Sequence, residues 1–241
     1  PSLTCATAAG KVFLHSPHGQ AVGSSQVTYL NINKQITALA AGCLTGKAGH
    51  DVLLIGTPST LQCYDVDKNK DVFFKDITDG VNTIMVGKLG RSESTLALVG
   101  GNCSIQGFDH AGADKLWTVT GDNVTAMALV DVDGDGYMEL VVGSDDFDLR
   151  VFGGEDMLAE ASEADEFVAL AAVRFARFGY ALVNGTIGVY DRLDRIWRVK
   201  SKHSVCALHS FDLDGDGVPE LISGWSNGRV EVRREGTGEG E

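Results

Sequence analysis

The stretch VTAMALVDVDGDGYMELVVGSDDFDLRVFGGEDMLAEAS, residues 124–162, contains one complete unit of the chain's organisation. It opens on "VTAMALV", a short and nearly continuous apolar run whose small residues suit a strand packed on both sides. An acidic turn follows, then "MELVVG", a second apolar run that ends in glycine. "FDLRVFG" comes next, centred on Leu149, and "DMLAEA" closes the unit with a more polar strand.

The same order recurs along the chain. "GKVFLH", "STLQCYD", "CSIQGFD", "FDLRVFG", "GTIGVYD" and "GRVEVRR" place apolar anchors at Val12, Leu61, Ile105, Leu149, Ile187 and Val230, at steps of 49, 44, 44, 38 and 43 residues. Each anchor run is preceded by a strand such as "DVLLIG" or "STLALVG" and followed by one such as "DVFFKD", "DKLWTV" or "RIWRVK". A small-residue strand then starts the next unit: "ITALAAG", "VNTIMVG", "FVALAAV" or "VCALHSF". Four strands per unit at this spacing predict an all-β fold, a β-propeller of six to seven blades of four antiparallel strands, incomplete in this chain. The reading is of one propeller domain over residues 1–241, truncated at both ends. Asn184-Gly185 and Asn227-Gly228 are expected to supply the positive φ angles of two-residue hairpins. Trp117 and Trp197, with Phe73, are expected in matching slots as packing between blades. "EDMLAEASEADEFVALAAV" falls in phase with the blades and reads as strand, turn, strand.

Composition agrees with this. Thirty glycines against four prolines, 7% aromatic residues and 44% hydrophobic residues fit many short strands joined by tight turns around a full core. A net charge of −13 lacks the basic footprint of a nucleic-acid binder. No apolar run approaches the roughly 20 residues needed to span a bilayer as a helix, and the start shows no secretory leader pattern. The first residue is not Met, so a longer natural chain is expected. Cys5, Cys43, Cys63, Cys103 and Cys206 form no C-x-x-C pair and read as reduced, partly buried thiols.

The acidic turn of residues 131–139, "DVDGDGYME", nearly recurs at residues 212–220 as "DLDGDGVPE". Oxygens at positions 1, 3 and 5, a main-chain carbonyl at 7 and a carboxylate at 9 can wrap a hard cation, with glycine at 6 permitting the bend. The candidate ligands are Asp131, Asp133, Asp135, the Tyr137 carbonyl and Glu139, then Asp212, Asp214, Asp216, the Val218 carbonyl and Glu220. A helical EF-hand would need Glu at position 12, where Val142 and Ser223 stand in strands. These loops instead resemble the calcium-binding FG-GAP repeats of integrin alpha propellers, with calcium in a structural role. Turn formation alone could explain Asp and Gly here, yet the equivalent turns "LTGKAGHD", "LGRSEST" and "RFARFG" carry no such series.

Catalytic signals are absent: no nucleophile elbow, phosphate loop, dinucleotide fingerprint or zinc pairing occurs. His15 and His18 flank Pro17 and read as a solvated turn. In "RLDRIWRVKSK", Arg198, Lys200 and Lys202 alternate with Trp197 and Val199. This pattern reads as a guarded sheet edge or a docking patch for an acidic partner or anionic lipid.

The strings "GSDDFDLRVF", "RFGYALVNGTIGVYD", "IWRVKSK", "ELISGWSNGRVEVR", "GNCSIQGFDHAGADKLWTVTGDNV" and "CATAAGKVFLHSPH" together resemble the N-terminal propeller of the Bardet-Biedl syndrome 2 family of BBSome subunits. The resemblance runs nearly end to end, though the segment between His18 and Gln35 looks short. It implies a non-enzymatic scaffold in a coat-like complex that traffics membrane proteins to and from cilia. It further implies the related subunits seven and nine of the complex as partners and ciliary membrane proteins as cargo. Membrane association would come only through the complex, and the location would be cilium, basal body and cytoplasm. The rival expectation is an extracellular, calcium-stabilised adhesion propeller.

Overall fold

The computed structural model describes residues 3–15, 27–45 and 50–234, and every regular element among them is a β-strand. The first sheet holds β1 (Leu3–Ala6), β2 (Lys11–His15) and β3 (Val27–Asn31). Four sheets of four strands follow. They are β4 (Ala38–Gly42), β5 (Val52–Gly56), β6 (Thr60–Asp65) and β7 (Lys70–Asp76); then β8 (Thr83–Gly87), β9 (Leu96–Gly100), β10 (Ser104–Phe108) and β11 (Asp114–Val119). The next two are β12 (Val124–Val130), β13 (Glu139–Ser144), β14 (Asp148–Gly153) and β15 (Asp156–Ser162), then β16 (Phe167–Arg174), β17 (Arg177–Leu182), β18 (Thr186–Asp191) and β19 (Asp194–Lys200). The last sheet holds β20 (Val205–Phe211), β21 (Glu220–Trp225) and β22 (Val230–Arg233).

All pairings are antiparallel between neighbours in sequence, so each sheet is a meander and the six sheets are the blades of a β-propeller. The small-residue strands β4, β8, β12, β16 and β20 touch one another in succession and form the inner wall. The second and third strands of each complete blade are buried along most of their length because a neighbouring blade covers each face. That explains why "VLLIG" and "LALVG" are apolar throughout instead of alternating.

The core lies between blades. Leu54, Leu61 and Phe73 of the second blade meet Val81, Val99 and Phe108 of the third. Val141, Leu149 and Val151 of the fourth meet Phe167, Tyr180 and Tyr190 of the fifth. Each fully buried side chain of this size stabilises the fold by about 1.5–3 kcal/mol. The glycine that ends the second strand has a packing reason. A Cβ on Gly56 would fall 2.3 Å from Val81, and one on Gly143 would fall 2.5 Å from Phe167, in each case the residue that leads into the next blade. The anchors Val12, Leu61, Ile105, Leu149 and Ile187 are fully buried. Val230 is 68% exposed, because no blade among the described residues covers it.

Three expectations need correction. Trp117 is 59% exposed and does not pack between blades. Each four-stranded blade carries a bulge in its outer strand, and pairing with the third strand resumes at Phe73, Leu116 and Trp197, opposite Cys63, Gly107 and Val189. Trp117 is one residue further on, so its side chain points to the other face. The Asn-Gly hairpins are three-residue loops in which only Gly185 and Gly228 have positive φ, both 82°. Asn184 Oδ1 instead accepts the Thr186 amide at 3.0 Å, and Asn227 Oδ1 the Arg229 amide at 3.0 Å. Among the cysteines only Cys63 is buried and Cys43 half-buried, while Cys5, Cys103 and Cys206 are exposed. His15 ends β2, whereas His18 lies outside the described residues.

Candidate metal site on two equivalent hairpin loops

Each acidic loop joins the innermost strand of a blade to the second: residues 131–138 between β12 and β13, and residues 212–219 between β20 and β21. Both therefore sit on the same rim. Strand pairing brings position 9 back beside position 1, since Val130 pairs with Glu139 and Phe211 with Glu220.

In the first loop Asp131 accepts the Gly134 amide at 2.8 Å through Oδ1 and the Gly136 amide at 3.0 Å through Oδ2. Gly134 and Gly136 have φ of 83° and 89°, a region that favours glycine. Asp133 Oδ1 accepts the Asp135 amide at 3.0 Å, and Asp135 Oδ1 accepts the Tyr137 amide at 2.9 Å. Glu139 is 5% exposed, and its Oε2 accepts the Val132 amide at 2.8 Å. The second loop repeats these contacts. Asp212 accepts from Gly215 and Gly217, Asp214 from Asp216, Asp216 from Val218, and Glu220 from Leu213 at 2.9 Å.

Asp131, Asp133 and Glu139 bring one carboxylate oxygen each within 4.8 Å of one another, as do Asp212, Asp214 and Glu220. Asp135 and Asp216 lie outside these groups and serve the turn. Tyr137 is exposed, with its ring under the Arg91 guanidinium at 5.3 Å, and Val218 is half-buried. Each pair of charges about 4 Å apart costs about 1 kcal/mol in water and about 4 kcal/mol at an effective dielectric of 20. In the first loop burial raises the Glu139 carboxyl above its ordinary pKa. The charges of Asp133, Asp135 and Asp131 push the same way, against the opposing hydrogen bond from Val132.

The loops differ in one respect. In the second, Arg234 Nε donates to Glu220 Oε1 at 3.1 Å and its Nη2 donates to Asp214 Oδ2. In the first, the corresponding oxygens, Glu139 Oε1 and Asp133 Oδ2, meet no donor among the described residues. The strand register gives the cause. Leu221 pairs with Arg233 and Leu140 with Phe152, so one step further Arg234 stands opposite Glu220 and Gly153 opposite Glu139. Arg234 was not singled out in the sequence, although counting back across the hairpin from Asn227-Gly228 places it there. The first loop thus presents a set of hard oxygen donors that no side-chain cation among the described residues neutralises, which suits a divalent cation such as calcium. The second presents the same set already bound by a guanidinium.

The first loop is also braced from the side, since the Gly90 amide, between β8 and β9, donates to the Met138 carbonyl at 2.7 Å.

Family models described as ciliary BBSome complex subunit 2, N-terminal, and ciliary BBSome complex subunit 2, middle region, match residues 1–87 and 126–233. The proteins named BBSome complex member BBS2 of Danio rerio and Homo sapiens are each 50% identical over 250 residues, covering 99% of this chain and 35% of theirs. BBSome complex member bbs-2 of Caenorhabditis elegans is 44% identical over 212 residues, covering 88% of this chain and 29% of its own. The chain thus spans about a third of the length of these relatives. Among solved structures, BBS1N in complex with ARL6DN superposes with a TM-score of 0.77 at 15% identity, covering 97% of this chain and 73% of that one. The WD40 β-propeller domain of Doa1 gives 0.73 at 12% identity, covering 98% and 76%. At these identities the two structures support the propeller fold alone.

Proposed function

The chain belongs to the family of the ciliary BBSome complex subunit 2, and from that premise we propose that it is the propeller of a non-enzymatic scaffold subunit that presents surface to other proteins of that complex. The observation that carries this reading is the 50% identity sustained over 99% of the chain. The inner wall fits it too. Met85, Leu129, Leu170 and Ala171 border a cavity of about 280 Å³ there, together with His209 and Ser210, a mainly apolar lining suited to packing. The partners are the other BBSome subunits, the related subunits seven and nine foremost, and the traffic served is that of membrane proteins to and from cilia. The subunit works in cilium, basal body and cytoplasm and meets membrane through the complex. The adhesion reading loses its support, since the curated relatives above are BBSome members.

Affinity purification of the full-length protein from ciliated cells, with residues 1–241 intact or deleted, tests this. Recovery of the other BBSome subunits with the intact protein, and loss of some of them on deletion, is expected. Recovery of extracellular matrix or cell-surface adhesion proteins in their place would overturn it.

We further propose that the first acidic loop holds one structural calcium ion through Asp131, Asp133 and Glu139, pinning the rim of the fourth blade. In the second loop Arg234 supplies the neutralising charge.

A further inference from the structure

The four complete blades expose their outer strands as free sheet edges, since β7, β11, β15 and β19 each pair with only one neighbour. Their charges differ. Lys70, Asp71, Lys75 and Asp76 balance on β7, and Asp114 balances Lys115 on β11. β15 carries Asp156 and Glu160 without a cation, whereas β19 carries Arg195, Arg198 and Lys200 against Asp194 alone. In a chain of net charge −13 this is a local reversal.

Arg195 is engaged internally, its Nε 3.0 Å from Glu163 Oε1. Arg198 and Lys200 are exposed and make no ion pair among the described residues, and Lys202 continues the series just past the strand. Arg198 and Lys200 border a cleft of about 290 Å³ with Ala164, Asn184 and Thr186. Val199, 41% exposed, adds apolar surface on the face opposite Arg198 and Lys200. Trp197 packs partly into the core between the fifth and sixth blades, which fixes the strand's facing.

We propose that the β19 edge is a docking site for an extended acidic segment of a partner protein, one in which Glu or Asp alternates with apolar residues. The segment adds a fifth strand through main-chain hydrogen bonds, its carboxylates meet Arg198, Lys200 and Lys202 on one face, and its apolar side chains cover Val199 on the other. Charge complementarity selects this occupant: a basic or neutral segment gains nothing from the unpaired cations, and β15 offers the opposite sign. The inference goes beyond the scaffold reading and does not depend on which complex the subunit joins.

The test uses the full-length protein and a fluorescent octapeptide of alternating Glu and Val, with an alternating Lys and Val peptide for comparison, followed by anisotropy. The Glu peptide is expected to bind the parent. The double variant Arg198→Glu/Lys200→Glu should weaken it by about tenfold or more, since two attractive contacts are lost and both become repulsive. The same variant should gain binding of the Lys peptide, which also shows that it is folded. N-methylation of alternate peptide bonds should abolish binding of the Glu peptide to the parent. Equal binding of the Glu peptide by parent and variant, or no binding by the parent, would overturn the proposal. So would parent binding to phosphatidylserine vesicles with the Glu peptide left free, or a charge reversal that changes only self-association.

Discussion

The two acidic loops share sequence pattern, position in the blade and nearly every hydrogen bond, yet one contains its own cation and the other does not. In the second loop Arg234 bridges Asp214 and Glu220, whereas beside Asp131, Asp133 and Glu139 the corresponding position across the sheet is Gly153. The comparison teaches that a loop's ligand geometry and its charge balance are set by different residues. The first comes from the nine-residue turn, and the second from a position across the sheet that only strand register reveals.

Exchanging that position should have the largest effect. Gly153→Arg is expected to fill the first site and abolish its calcium response, read as calcium-dependent hydrogen-exchange protection of the Val132 and Gly134 amides. A Cβ at Gly153 meets only the Leu158 side chain, Cδ1 at 2.8 Å and Cγ at 3.3 Å, and Leu158 is 57% exposed and free to turn aside, so the chain can accept the change. The reciprocal Arg234→Gly should cost about 1–3 kcal/mol without calcium, because buried Glu220 loses a charged hydrogen bond. It should also give the second loop a calcium response that the parent lacks there. Unchanged responses in both variants would break the comparison.

Next in size is Glu139→Gln, which keeps an acceptor for the Val132 amide and removes one charge. Without calcium the loop should be as stable as in the parent or more so, and calcium affinity should fall about tenfold or more, since each 1.4 kcal/mol of lost attraction is a decade. Lower stability together with unchanged calcium affinity would mean that Glu139 serves only as a cap.

Titration separates paired acids from unpaired ones. Hydrogen bonds from Lys68 hold Asp65 at about 2, and its charge also faces His50 at 3.1 Å. A folded pKa below the unfolded one gives stability that is present above about 3.8 and lost as pH falls toward 2. Glu139 has the opposite sign: its raised carboxyl disfavours the fold once ionised, so without calcium acidification through its folded pKa relieves the first loop. Carboxyl NMR titration should show Asp65 well below and Glu139 above the ordinary range, and calcium should pull Glu139 downward. A Glu139 carboxyl indifferent to calcium would count against the metal.

The smallest effect is expected at Asp135. Asp135→Asn leaves an acceptor for the Tyr137 amide and lies outside the three-carboxylate group, so stability should change by less than about 0.5 kcal/mol. Calcium affinity should fall less than in Glu139→Gln.

Much of this was legible in the sequence because a propeller writes its plan locally. The inner, second, third and outer strands differ in size and polarity, and the buried anchors mark the repeat. What escaped reading depended on one-residue shifts. The β10–β11 hairpin is one residue longer than the β18–β19 hairpin, Phe108 pairing with Asp114 where Tyr190 pairs with Arg195, which puts Trp117 one residue past the slot that Trp197 fills and on the opposite face. The hairpins at Asn184 and Asn227 use side-chain acceptors instead of a positive φ at Asn, a choice that Asn-Gly alone does not specify. The acidic loops were visible as ligand spacing, but Arg234 was not, because its meaning comes from pairing with Glu220 14 residues earlier.

Counting calcium ions bound to the full-length protein at equilibrium, in the parent and in Gly153→Arg and Arg234→Gly, is the most direct measurement. One ion per propeller in the parent, none after Gly153→Arg and two after Arg234→Gly is the predicted result. Two ions or none in the parent, or counts that ignore both exchanges, would contradict the view that a single residue across the sheet decides which loop takes metal.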